Sequence, residues 1–214
     1  MGVQLPNGAT ISIASSYGND IDVTTITNAS PAVATSESHD LKKGDYVELK
    51  SGWNRINDRV VRVGEVTADT FTLEGIDTSD TDVYPAGSGI GTVRKISGWT
   101  QIQQVTDLST SGGEMQFATY SFLENDYESQ IPTQSSAQSM TLTIGDDPSM
   151  PGYEKMKVVS ESRNPCAVIF KLPNKSEILY NCYTSFNETP STTKGEIMTV
   201  TATLSLIARP IRYA

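Results

Sequence analysis

The sequence predicts a mainly β protein with one flanking helix and a small barrel-like β module, and three observations carry that reading. Short runs alternate apolar and polar residues along the whole chain, Gly, Asn and Asp turn signals punctuate them, and only one stretch has helical spacing. With 214 residues, 37% of them hydrophobic, the chain can bury one moderate core, or one core with a small satellite module.

Taken in order, "ATISIAS" and "DIDVTTIT" flank the turn signal "YGN" and read as a hairpin over Ala9 to Thr27. From Asn28 to Thr78 the text changes rhythm. The strand candidates Tyr46 to Leu49, Arg59 to Val66 and Thr70 to Leu73 are short, with tight turns at Lys43-Gly44-Asp45 and Ala68-Asp69. Residues 29–82 therefore read as a self-contained small β module, and residues 1–28 with 83–214 as the main core. The connector "YPAGSGIGT" holds Gly87, Gly89 and Gly91, but the third glycine of a dinucleotide fingerprint is misplaced and no helix pattern follows.

In the last segment, "DDPSMPGYEKMKVVSESRNP" places acids ahead of Pro148 and Pro151, sets Tyr153, Met156 and Val159 at helical spacing, and stops at Asn164-Pro165. An amphipathic helix packed on a sheet follows from this. The hairpin "CAVIFKLPNKSEILYNCYTSF" comes next. Ser109 to Thr133 mixes Met115, Phe117, Tyr120, Phe122, Leu123, Tyr127 and Ile131 with polar residues; it is too long and too apolar for an idle loop and needs a partner.

The closing strand "MTVTATLSLIA" puts Met198, Val200, Ala202, Leu204 and Leu206 on one face and Thr199, Thr201, Thr203 and Ser205 on the other. "MTLTI" repeats the pattern with Thr141 and Thr143. Solvent-facing strands usually carry Lys and Glu, and core-facing ones carry Val and Leu, so an unbroken hydroxyl row belongs to neither setting.

Bulk charge and residue inventory exclude several function classes. A net charge of −9, divided −5 and −4 about Lys95, argues against a grip on nucleic acid, which needs a clustered basic surface. From Gly64 to Val93 there are six acids and no Lys or Arg, which makes a solvated acidic patch. His39 is the only histidine and precedes a strand, a poor setting for a catalytic triad. "DTSDTD", with Asp77, Asp80 and Asp82, lacks the Gly and distal Glu of a calcium loop. Glu124, Asp126 and Glu128 read as hydrated loop acids, not a glycosidase pair. No catalytic residue, metal site or cofactor is expected. Trp53 and Trp99 read as core plugs, with a carbohydrate platform as the alternative. Cys166 and Cys182 either face each other across a hairpin or are two buried free thiols, the second being favoured. The amino terminus shows no secretion signal, and Met1-Gly2 is a poor myristoylation start because Pro6 stands where Ser or Thr is wanted. No run is long and apolar enough for a membrane anchor.

The ordered series "ATISIASSYGNDIDVTTITNASPA", "LEGIDTSD", "PAGSGIGTVRKISGWTQI", "STSGGEMQFATYSFLENDYESQIPT", "DDPSMPGYEKMK" and "YNCYTSFNETPSTTKGEIMTVTATLSLIARP" resembles the tail tube proteins of long-tailed bacteriophages with flexible, noncontractile tails. The likeness runs over nearly the whole chain, and the middle segment, "SESHDLKKGDYVELKSG" through "DTFTLEGIDTSD" (Ser36 to Asp80), also resembles a small β module appended to various phage tail proteins. What the resemblance implies is a two-sheet β-sandwich core with one flanking helix, six copies in a ring, and rings stacked into a virion tail tube through which DNA passes without specific binding. It further implies the tape measure, tail terminator and distal tail proteins as partners, and manufacture in the host bacterial cytoplasm. On this reading Thr141, Thr143, Thr199, Thr201, Thr203 and Ser205 line the lumen; alternatively that face packs against the long loop or a neighbour. The apolar residues of the Ser109 to Thr133 stretch become subunit contacts. A glycan-binding adhesin module of a phage tail is the alternative function.

Overall fold

The computed structural model describes residues 7–214, so the reading of Met1-Gly2 and Pro6 lies outside the described residues. Fifteen strands and one helix follow in the order β1 (Thr10–Val23), β2 (Thr25–Ile26), β3 (Ala32–Thr35), β4 (Tyr46–Ser51), β5 (Arg59–Val66), β6 (Thr70–Leu73), β7 (Gly91–Ile102), β8 (Val105–Ser111), β9 (Met115–Tyr120), β10 (Ser129–Ser135), β11 (Ser139–Gly145), α1 (Pro151–Ser162), β12 (Cys166–Lys171), β13 (Glu177–Ser191), β14 (Thr199–Leu206) and β15 (Ile211–Tyr213). Thirteen of the strands form one curled sheet, ordered β2-β3-β6-β5-β4-β7-β1-β12-β13-β14-β11-β8, with β15 added to β13; β9 and β10 form a separate hairpin. The mainly β, barrel-like expectation with one flanking helix is met.

The strand candidates at 46–49, 59–66 and 70–73 are β4, β5 and β6, within two residues at every end. The opening hairpin is a correction. Residues 10–23 run straight through "YGN" as one long strand between β7 and β12, and the extra residues are absorbed as register shifts against β7 between Ala14 and Asp20. A glycine-containing turn signal inside a strand with a partner becomes a bulge, because reversing the chain there would forfeit the ladder on β7.

Helix α1 starts with Pro151 at its first turn and ends at Arg163, which is left-handed (φ 54°) ahead of Asn164-Pro165. Tyr153, Met156 and Val159 are buried as their spacing requires. Tyr153 meets Phe186 of β13 edge-on at 4.8 Å, and Ser160 Oγ accepts the Phe186 N–H at 3.0 Å, which seats the helix on the sheet.

Residues 29–82 supply β3 to β6. β4 also pairs along β7, from Val47 opposite Lys95 to Ser51 opposite Gly91, so this segment and the rest of the chain share one sheet at that seam. The curl brings β4 and β5 back against β13, where Asn181 Nδ2 donates at 2.9 Å both to Glu48 Oε1 and to the Asp58 carbonyl. Glu48 is only 2% exposed, and Arg94 closes the site as its ion partner. β15 joins the same seam: the Tyr213 hydroxyl donates to the Glu74 carbonyl and accepts the Arg62 N–H, each at 2.9 Å.

The glycine-rich connector serves packing. A β-carbon on Gly89 would stand 2.9 Å from the Trp53 ring, and one on Gly91 would collide with the Lys50 carbonyl, so bare backbone is what lets β7 close on β4. Trp53, 3% exposed, plugs that region and donates Nε1–H to the Pro85 carbonyl at 2.9 Å.

Candidate functional site

Two surfaces stand out, and both are built from strands. In β14 the buried residues are Val200, Ala202 and Leu204; in β11 they are Met140, Leu142, Ile144 and the terminal Gly145. Their partners point the other way, and registration lines them up across four strands. Thr141 faces Ser109 of β8 on one side and Thr203 on the other, and Thr203 faces Ser185. The next row runs Asp107, Thr143, Thr201, Asn187, and the row beyond Thr141 runs Ser111, Ser139, Ser205, Tyr183. Ser111 and Ser139 hydroxyls meet at 2.8 Å, which is direct contact across the strand pair on that face. Thr199 extends the face opposite Gly145 and Ser191.

The six hydroxyl residues singled out in the sequence therefore lie on one surface, half-buried or exposed, with Asp107 the one charge in the three rows. Sequence reasoning missed the contributions of Ser109, Ser111, Ser139 and Ser185. The alternation in "VTDLSTS" carried a signal for the first two, but only the pairing shows that four strands share the face.

The second surface is the β9–β10 hairpin, where Ser129 pairs with Tyr120 and Ile131 with Ala118. Every residue of β9 is exposed, and so are Phe122, Leu123, Tyr127 and Ile131. Tyr120 and Phe122 cluster edge-on at 5.5 Å near the tip, and Met115 and Phe117 lie further down β9. The seven apolar residues marked in the sequence thus share one hairpin. Glu124, Asp126 and Glu128 sit exposed in and beside its turn.

The remaining candidates fall to structural roles. His39 packs edge-on against Phe71 at 5.1 Å, and its Nδ1 accepts the Leu41 N–H. Asp77 and Asp80 accept hydrogen bonds from residues two places on, in local turns, and no His, Cys, Asp and Glu cluster among the described residues is arranged to hold a metal ion. Cys166 and Cys182 are register partners on β12 and β13, buried and unbonded, and burial pushes both thiols up from their ordinary value. Both alternatives raised for the cysteines hold together. No described helix is long and apolar enough to cross a membrane.

The model of the family described as phage tail tube protein, TTP, matches residues 51–214. The chain belongs to the phage tail tube protein family. Its role is structural, and its place is the virion tail. The family match starts at the last residue of β4, yet β1, outside the match, lies between β7 and β12 in the same sheet. Comparison with curated proteins finds no match. Among solved structures, the chain is similar to one from the anti-feeding prophage (AFP) baseplate, at 14% identity over 56% of this chain and 86% of that one, with a TM-score of 0.39. It is also similar to one from the PVC sheath-tube complex of an extracellular contractile injection system in the extended state, at 20% identity over 50% and 79%, with a TM-score of 0.34.

Proposed function

We propose that copies of this tail tube family member close into rings, six to a ring by resemblance, and that the rings stack into a tube whose bore is lined by the β8-β11-β14-β13 hydroxyl face. The single observation that carries this reading is that face: four strands wide, in register, rich in Thr and Ser, and without a Lys or Arg in its rows. Hydroxyls hold water by hydrogen bonds while offering DNA no cation for its phosphates, so a polyanion passes without being held. The edge supports it too. Among the described residues β8 pairs with β11 alone, and its segment "VTDLSTS" contains no Lys or Pro to block a further strand. A neighbour's strand there would join the sheets of a ring into one continuous wall.

The exposed apolar hairpin gives the subunits their second contact. A surface of this kind is a liability on a monomer and an asset in an assembly. Besides further copies of this chain, the partners are the tape measure, tail terminator and distal tail proteins, as the resemblance implies, with DNA in transit through the lumen. Residues 29–82 form a unit on the wall, attached along β4 and through the seam with β13 and β15.

Negative-stain microscopy with sedimentation of the purified protein tests the reading. Weak association when dilute and tubes when concentrated or seeded by tail tips are expected. A compact monomer at every concentration, unaffected by seeding, overturns it.

A further inference from the structure

We propose that a cleft carrying Arg55, Arg59 and Arg209 receives the acidic hairpin tip of a second copy of this chain. The inference rests on the tube reading and names the segment and its receptor.

Two concavities of about 380 and 620 Å³ share Arg59, Ile207, Ala208 and Arg209, and together they make one cleft between the Asn54 to Arg59 turn and the base of the β9–β10 hairpin. Arg55 and Arg209 are exposed, while Arg59 is half-buried with its Nε donating to the Arg209 carbonyl at 3.2 Å. No Asp or Glu lines either part. Among the described residues none of the three arginines has a carboxylate within ion-pair distance, whereas Arg62 has two, Glu74 and Glu177, and Arg94 has Glu48. Burial pushes the Arg59 guanidinium below its ordinary value and the Arg209 charge adds to this, against the opposing pull of Tyr84 and Tyr213.

In a chain of net charge −9, copies that repel one another overall need places of local attraction, and this cleft gathers three arginines with no acid among them. The complementary segment has two properties. The cleft is apolar as well as basic, through Leu206, Ile207 and Pro210, and the hairpin tip "FLENDYE" is apolar as well as acidic, with Phe122, Leu123 and Tyr127 beside Glu124, Asp126 and Glu128. The run from Asp77 to Asp82 has the acids without aromatics in their midst. The tip is supplied by another copy. Met115, at the hairpin base, itself lines the cleft, and Tyr120 stands five residues further along β9, roughly 17 Å away at the rise of a strand.

The experiment reverses charge on each side in the full chain. Arg55→Glu with Arg209→Glu, and separately Glu124→Lys with Asp126→Lys and Glu128→Lys, are each expected to raise the concentration needed for tubes about tenfold or more, the factor carried by one lost charged contact. Circular dichroism and melting should match the parent, since all five side chains are exposed. Combining the two sets should restore assembly. Tubes formed by either set at the parent's concentration overturn the inference and leave the tube reading standing. Failure of the combined variant to recover, rescue by reversing Asp77, Asp80 and Asp82 instead, or normal tubes with impaired DNA passage each assign the cleft to another occupant and overturn it. A peptide spanning residues 121–130, titrated onto the full chain, separates the two readings. If the parent forms no tubes, the tube reading falls, and binding of this peptide but not its triple-Lys form still decides whether the cleft takes the tip.

Discussion

Thr201 is exposed in the middle of the hydroxyl face, between Thr143 and Asn187, so a lysine there has room to extend away from the sheet. Thr201→Lys is expected to leave tubes intact while DNA ejection or infectivity falls, because under the proposed function every copy adds a cation to the bore; higher salt should ease the defect as phosphate attraction is screened. Loss of assembly would instead mean that this face packs against protein. Glu48 makes a different residue-scale test. Buried in the seam, it has Arg94 as its ion partner and Asn181 as hydrogen-bond donor. Arg94→Ala leaves a buried carboxylate without its countercharge and should cost about 3 kcal/mol, the low end for such pairs because Arg94 is partly solvated. A urea midpoint unchanged from the parent would show that the carboxylate is hydrated.

At the scale of elements, the β9–β10 hairpin lets the proposed assembly be tested apart from folding. Its base is closed by backbone bonds between Gly113 and Ser136 and between Ser136 and Glu114, and its strands pair with each other and not with the large sheet. Replacing residues 114–136 with a short Gly/Ser turn should therefore leave the melting temperature within a few degrees while abolishing tubes in the microscope. Residues 29–82 pose the harder case. β4 hydrogen-bonds along β7, and Glu48 and Asp58 bond Asn181, so exchanging Ala29 to Asp82 for a linker uncovers a strand edge and a buried amide. The expected product is soluble, melts lower, and forms tubes that are thinner outside. Complete loss of soluble protein would place these residues within the main folding unit.

Across the whole molecule, the seam that closes the curled sheet is held by carboxylates, and this gives a pH dependence. Arg62 bonds Glu74 at 2.7 and 2.8 Å and holds its carboxyl below the usual range. For Glu177 burial pushes upward, but hydrogen bonds from Tyr46 and Lys171 outweigh it and the net direction is also down. Groups lowered in the folded state contribute stability that is present above the unfolded glutamate pKa of about 4.3 and lost as pH falls through the lower folded values. Thermal melting should thus hold near neutral pH and drop below about pH 4.3. In Glu74→Gln with Glu177→Gln the drop should be smaller; an identical profile would show that the seam does not depend on these charges.

Sequence alone determined which side of β11 and β14 faces the core, where the helix runs, and that the Ser109 to Thr133 stretch, with its mix of apolar and polar residues, is too long for an idle loop. These are local properties: side chains alternate with period two in a strand, and capping and proline signals act within a turn or two. The family resemblance was legible for a similar reason, since ordered phrases survive in the text of a chain. Only the tertiary structure decided that "YGN" bulges instead of turning, because the ladder with β7 settles the matter there. It also decided that Thr201 and Thr203 extend into a face four strands wide, and that Arg59 meets Arg209 across 150 positions of sequence. Such neighbours are chosen by long-range strand pairing and by the curl of the sheet, and neither leaves a periodic mark in the residues it brings together.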